Sequence, residues 1–144
     1  MSAIYGALPK RIESSPAADD LLRKLTSIHG GLMFHQSGGC CDGSAPMCYL
    51  AGEFKVGAAD VLLGELEVDG IAEPIKVWIS LEQFEYWKHT HITIDVVPGR
   101  GGGFSLETPE GLRFLIRSRL FTDDEARALD GTPVLLGSGA SQLV

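Results

Sequence analysis

The sequence lacks the features of a membrane protein and of a secreted, disulfide-bonded domain. No apolar run reaches the length of about 18 residues that a transmembrane helix needs, so no membrane span is expected. The N-terminus has no positively charged segment before a long apolar one, and we therefore expect no signal peptide. The three cysteines are an odd number, and Cys40 and Cys41 are adjacent. This pattern favours a reducing cytoplasm over a disulfide framework.

Basic residues are also few. The chain has 12 Lys and Arg against 19 Asp and Glu, which gives a formal net charge of -7. Binding to phosphates relies on clustered Lys and Arg, so we expect neither a nucleic-acid partner nor an anionic membrane as partner. Four arginines between residues 100 and 119 are the main basic concentration. They are spread over a predicted loop and strand, and we interpret them as part of a solvated face.

The length and composition fit one globular domain. A chain of 144 residues can bury an ordinary core without disulfide bonds, and a hydrophobic content of 44% is typical of such proteins. We therefore predict a single domain over residues 1–144. Its core is expected at about residues 16–121, with residues 1–14 and 131–144 as arms.

The periodicity predicts an α+β fold that is mainly β. An N-cap at Ser15, Pro16 at the first helical position and apolar residues at three- and four-residue steps predict an amphipathic helix that ends at Gly30. Capping boxes predict short helices near residues 81–88 and 123–129. Strands in mixed or antiparallel sheets are predicted for seven segments: 32–37, 49–51, 60–68, 75–79, 92–97, 104–107 and 112–120.

The chemistry-bearing stretch is residues 35–48, HQSGGCCDGSAPMC, which contains all three cysteines. Thiolates are nucleophiles and soft metal ligands, and the glycines allow the turns that bring neighbouring side chains together. The spacing CC-x6-C is not a zinc-finger pairing, so this loop needs donors from elsewhere to close a tetrahedral site. The alternative interpretation is that the cysteines are small buried residues beside a turn.

A metal site is the first prediction for this loop, and its ligands would come from two segments. The predicted ligands are Cys40, Cys41, Cys48, His35, His89 and His91. A His-x-His pair on an extended segment has both rings on one side, and mixed sulphur and nitrogen donors favour zinc, or else iron or copper. Alternatively, His89 and His91 lie at a helix C-terminus, where a cation interacts favourably with the helix dipole, as we expect for His29. Asp42 is either a ligand or a turn residue.

Two further function classes stay open on the same residues. In a small cysteine-dependent enzyme, Cys41 would attack a carbonyl such as an aldehyde, and His35 would lower the thiol pKa or act as the base. In a redox protein, Cys40 or Cys41 would form a bridge to Cys48. The glycine run 99–103 lacks the lysine and spacing of a phosphate-binding loop, so we interpret it as a strand connection. Four aromatic residues are predicted to lie in the core: Trp78, Phe84, Tyr86 and Trp87.

The string FHQSGGCCDGSAPMC at residues 34–48 resembles the signature of a bacterial family catalogued as domain of unknown function 779, and the likeness covers about residues 19–121. Genes of that family often lie beside those of aldehyde or alcohol dehydrogenases. The resemblance thus implies an accessory role, with such a dehydrogenase as partner; a homodimer is also compatible with the sequence. The layout, including GGGFSLETPEG, is similar to the HesB-like A-type iron-sulphur carriers. It lacks their C-terminal cysteine pair, so this likeness implies a shared fold without their cluster ligands.

Overall fold

A computed structural model describes residues 9–36, 44–99 and 105–139, and the backbone of residues 141 and 142. The helices are α1 (Pro16–His29), α2 (Leu81–Trp87) and α3 (Asp123–Leu129), and Thr108–Glu110 forms a 3-10 turn. The strands are β1 (Ile12–Ser14), β2 (Leu32–Gln36), β3 (Met47–Leu50), β4 (Val61–Leu66), β5 (Ile75–Ile79), β6 (Thr90–Pro98), β7 (Leu112–Leu120), β8 (Val134–Leu135) and β9 (Ser141–Gln142). None of the helices in these ranges is long and apolar enough to cross a membrane.

The strands form two mixed sheets and a short hairpin. In the first sheet, of order β1-β6-β7, β1 runs parallel and β7 antiparallel to β6. The second sheet has the order β3-β2-β5-β4, with a parallel pair in the centre and antiparallel strands at both edges. Strands β8 and β9 pair with each other. This arrangement confirms the predicted α+β class with mainly β structure.

One hydrophobic cluster joins both sheets and α1. Phe34 on β2 meets Phe114 on β7 edge to face, with the ring centroids 5.0 Å apart, and both rings are fully buried. Leu22 and Leu25 of α1 belong to the same cluster. The helix begins as predicted, because the Ser15 hydroxyl accepts a hydrogen bond from the Ala18 amide at 3.1 Å. The sheets and the helix therefore share a single core.

The structure differs from the predictions at three places. The first predicted arm contains β1, whose Ile12 is buried and aligned with Ile92, and the second contains the buried Val134. The predicted strand near residue 105 is a turn, in which the buried Glu107 carboxylate accepts hydrogen bonds from the Ser105 hydroxyl and a strand amide. Polar side chains that bond locally compete with strand pairing. Of the four aromatic residues predicted in the core, three are buried and Tyr86 is 67% exposed.

A carboxylate between α1 and the first sheet makes stability depend on pH. The Asp95 carboxylate on β6 accepts hydrogen bonds from the Ser15 hydroxyl at 2.6 Å and from Arg117 Nε at 2.7 Å. These bonds, the Ser15 bond foremost, lower the pKa of Asp95 from 3.8 to about 2. The ionised form is thus favoured in the fold, and its contribution is present above about pH 4 and lost as the pH falls towards about 2.

We therefore expect Asp95→Asn to lower the free energy of unfolding at neutral pH by at most about 1 kcal/mol, because the partners reach solvent. The difference from the wild type should shrink between about pH 4 and about pH 2. Urea unfolding at several pH values measures it. A difference that stays constant over this range would contradict the assignment.

Candidate functional site: a histidine and carboxylate pair beside the cysteine loop

The described part of the loop region contains a buried histidine paired with a carboxylate. His35 on β2 is 4% exposed, and its Nε2 lies 2.9 Å from Asp60 Oδ2. The same carboxylate oxygen accepts a hydrogen bond from the Gly57 amide at 2.8 Å. A carboxylate accepts and does not donate, so the ring donates its Nε2 proton to Asp60. In the neutral ring, the lone pair is then on Nδ1.

Aromatic rings fix the orientation of the histidine. The Phe54 ring lies 4.5 Å from the His35 ring, and Tyr49 on β3 stacks on Phe54 with centroids 4.8 Å apart. Offset aromatic contacts of this kind stabilise a single ring position. His35 is therefore held at its Nε2 edge by a carboxylate and along its face by a phenyl ring.

The C-terminal segment holds Asp60 in place. The Gly137 amide donates to the Asp60 carbonyl at 2.8 Å, and the Ser138 amide donates to the Ala58 carbonyl at 3.0 Å. Val61, at the start of β4, also forms a bridge with Leu136. Two segments far apart in sequence thus fix the carboxylate that binds His35.

Cys48 faces away from this pair. Phe34 is aligned with Cys48 and His35 with Met47 between the two strands, so the thiol points to the core face and the imidazole to the opposite face. Burial, together with the charge of Glu107, raises the pKa of the Cys48 thiol far above its ordinary value. A protonated, buried thiol is neither a nucleophile nor a ready ligand. Cys48 thus corresponds to the small buried residue of the alternative interpretation.

The remaining histidines lie elsewhere. His91 is buried on β6 of the other sheet, with its Nε2 2.7 Å from Glu13 Oε1. His89 precedes β6 and is exposed, and the two rings line different clefts. His29 is exposed in the last turn of α1, in agreement with a helix-end position.

The structure therefore brings His35 together with Asp60, and it does not bring His35 together with Cys48, His89 or His91. Cys40, Cys41 and Asp42 lie outside the described residues. Within residues 9–36, 44–99 and 105–139, no group of three or more His, Cys, Asp and Glu side chains is arranged to hold a metal ion. Asp60 was missed because the sequence pattern around it predicts a strand end, and nothing local links it to a histidine on another strand.

The fold and the site define a small α+β protein in which a histidine and carboxylate pair lies at the strand that leads into a cysteine-rich loop. The chain belongs to the family described as Domain of unknown function (DUF779), whose model matches residues 21–120. Neither the curated proteins nor the solved structures gave a match. The HesB-like fold stays a prediction.

Proposed function

We propose that the chain is a metal-binding accessory or carrier protein whose ligands are His35, Cys40 and Cys41. The observation that supports the proposal is the bond between His35 and Asp60. A histidine that binds a metal ion usually donates its other ring proton to a carboxylate, which fixes the tautomer and makes the ring a better donor. Asp60 would have this role for the His35 ring.

The donor set favours zinc, with iron or copper as the other choices. Three protein ligands leave one tetrahedral position for water or for a group from a partner, as expected for a carrier that must release its ion. Cys48, His89 and His91 are not included, because each is engaged in a different environment. In this proposal the thiolates therefore come from Cys40 and Cys41.

A cysteine-dependent enzyme is the second candidate, and the same pair favours it. A base oriented by a carboxylate beside a thiol is the arrangement that activates a nucleophile. Cys41 would attack a carbonyl such as an aldehyde, and His35 would take the thiol proton. The two adjacent cysteines favour the metal site, because either thiol could act as the nucleophile and both could bind an ion.

The metabolic setting that we propose rests on the family resemblance and on cysteine usage. An aldehyde or alcohol dehydrogenase would be the partner. This enzyme would either receive the ion from the protein or be assisted by it in its reaction. The odd number of cysteines in one loop is typical of a reducing compartment, and we propose the cytoplasm.

The deciding experiment measures metal content and thiol accessibility on the same sample of protein purified without an affinity tag. Stoichiometric metal, with Cys40 and Cys41 protected from alkylation until a chelator is added, would support the carrier. Metal-free protein with one rapidly alkylated thiol in the loop would support the enzyme. Cys48 should react only after unfolding in both cases, because it is buried.

Asp60→Asn tests the orienting carboxylate. It keeps the size of the side chain and removes its charge, and we expect the affinity for zinc to fall about tenfold. Competition with a zinc-sensitive dye measures this change. Asp69→Asn, at an exposed turn, is the matched control and should leave the affinity unchanged. An unchanged affinity in the Asp60 variant would remove His35 and its partner from the site.

A further inference from the structure

The cleft that His89 lines lies outside the site of His35 and Asp60. Its volume is about 500 Å³, and it is formed by the chain before β1, the turn from α2 to β6, the end of β7 and helix α3. This volume is within the range of small-ligand sites. One part of the wall is apolar and includes Leu120, Phe121 and Leu129. The other part is basic and includes Arg11, Lys88, His89 and Arg127, with Asp130 beside them.

Arg11 is one of the basic groups that line this cleft. Its Nη1 donates to the Lys88 carbonyl at 2.9 Å, and its guanidinium carbon lies 5.4 Å from the Phe84 ring and 5.9 Å from the Phe121 ring. No carboxylate of the described residues forms an ion pair with it. Burial lowers the pKa of Arg11, which is the expected effect of removing water from a cation without supplying an anion. The rings and the carbonyl position the guanidinium, and none of them neutralises its charge.

The other basic groups add positive charge at the edge of the cleft. Lys88 pairs with Glu85 and Arg127 with Asp124, and both carboxylates are more than half exposed. Exposed pairs of this kind are weak and screened by salt, so their cations remain available to a ligand. A basic cleft is unexpected in a chain with a formal net charge of -7. A random placement of the charged side chains would seldom produce a basic cleft in such an acidic chain.

The apolar part of the wall selects the kind of anion. Leu120 is 75% exposed, and the Phe121 ring beside it is partly exposed. A ligand that covers them would gain about 25 cal/mol for each Å² of apolar surface removed from water. A purely inorganic anion would gain nothing there. A planar guanidinium also matches a carboxylate with two parallel hydrogen bonds.

We propose that this cleft binds a small organic acid, whose carboxylate pairs with Arg11 and whose hydrocarbon part covers Leu120 and Phe121. This site is separate from the proposed metal site. A variant such as Asp60→Asn should therefore retain it unchanged.

The test is calorimetric titration of the full chain with hexanoate. We expect saturable binding of one equivalent of hexanoate. Binding should be at least about tenfold weaker for acetate and inorganic phosphate, which lack the hydrocarbon part, and for hexan-1-ol, which lacks the carboxylate. No saturable binding of hexanoate would overturn the proposal. Equal binding of phosphate or hexan-1-ol would also overturn it.

Variants assign the binding to this cleft. Arg11→Met keeps an unbranched side chain and should weaken hexanoate binding about tenfold, since a charge-assisted hydrogen bond is lost. Arg23→Gln, on α1 and outside the cleft, removes the same charge and should bind like the wild type. If Arg11→Met does not fold, the double variant Lys88→Gln and Arg127→Gln decides, with an expected weakening of about threefold. Unchanged binding by the folded Arg11 variant, or by the double variant, would overturn the proposal.

Discussion

Cys41→Ser is expected to abolish stoichiometric metal binding, with a loss of affinity of more than about a hundredfold. A neutral hydroxyl is a much poorer ligand for zinc than a thiolate, and one of three protein ligands would be lost. The melting temperature should fall with it, because an ion that binds the folded chain stabilises the fold by its binding free energy. Metal analysis and thermal unfolding of the same sample measure both effects.

Cys48→Ala is the matched control for this loss. It removes a buried sulphur from the core and should cost about 1 to 2 kcal/mol in the free energy of unfolding. Its metal content should equal that of the wild type, because Cys48 lies on the core face of the sheet. An unchanged melting temperature with unchanged metal in the Cys41 variant would remove Cys41 from the site. A loss of metal in the Cys48 variant would show that the core thiol participates.

Gly137→Ala is expected to destabilise the fold strongly for a substitution that adds a single methyl group. A Cβ atom at this position would lie 1.9 Å from the Gly57 carbonyl oxygen and 2.8 Å from Val56 Cγ1. The backbone atom cannot rotate away, so the C-terminal segment would have to move and lose its bond to the Asp60 carbonyl. Overpacking of this kind costs about 2 to 3 kcal/mol. Urea unfolding measures the loss.

Gly31→Ala provides the comparison for this variant. An added Cβ there would meet the nearest atom, Ala51 Cβ, at 3.5 Å, which is ordinary contact. Its free energy of unfolding should stay within about 0.5 kcal/mol of the wild type. Gly137→Ala should also weaken metal binding, because Asp60 would be less well held. Equal stability of the two variants would contradict the close approach at residue 137.

The elements with local signals were predictable from the sequence. Ser15 with Pro16, the N-cap Ser80 and the capping box at Thr122 each place a helix start where the structure has one, although at Ser80 only the serine half of the predicted capping box forms. The edge strands of the sheets were harder to predict from the sequence. Ile12 enters a strand because a parallel partner, β6, is available far along the chain, and a segment of three residues has too few positions to show a period.

The candidate site was predictable only in part, for the same reason. His35 was found because it lies beside the cysteines in sequence. Its carboxylate partner comes from the start of another strand, and the pairing depends on sheet order and on the C-terminal segment. Cys48 was included as a ligand because proximity in sequence does not reveal which face of a strand a side chain occupies. A shift of one residue reverses that face, and only the strand register decides it.

The close contact at Gly137 lies outside the region that the family model matches, so that region differs from the region that packs together as one unit. The family match ends at residue 120, and it begins after β1 and the first turn of α1. Ile12 and the segment that anchors Asp60 both lie outside it. A fragment trimmed to the matched region would keep His35 and Asp60 and lose the C-terminal segment that holds Asp60 in place. The stretch that the family model matches is therefore shorter than the unit that shares the core and the sheet contacts.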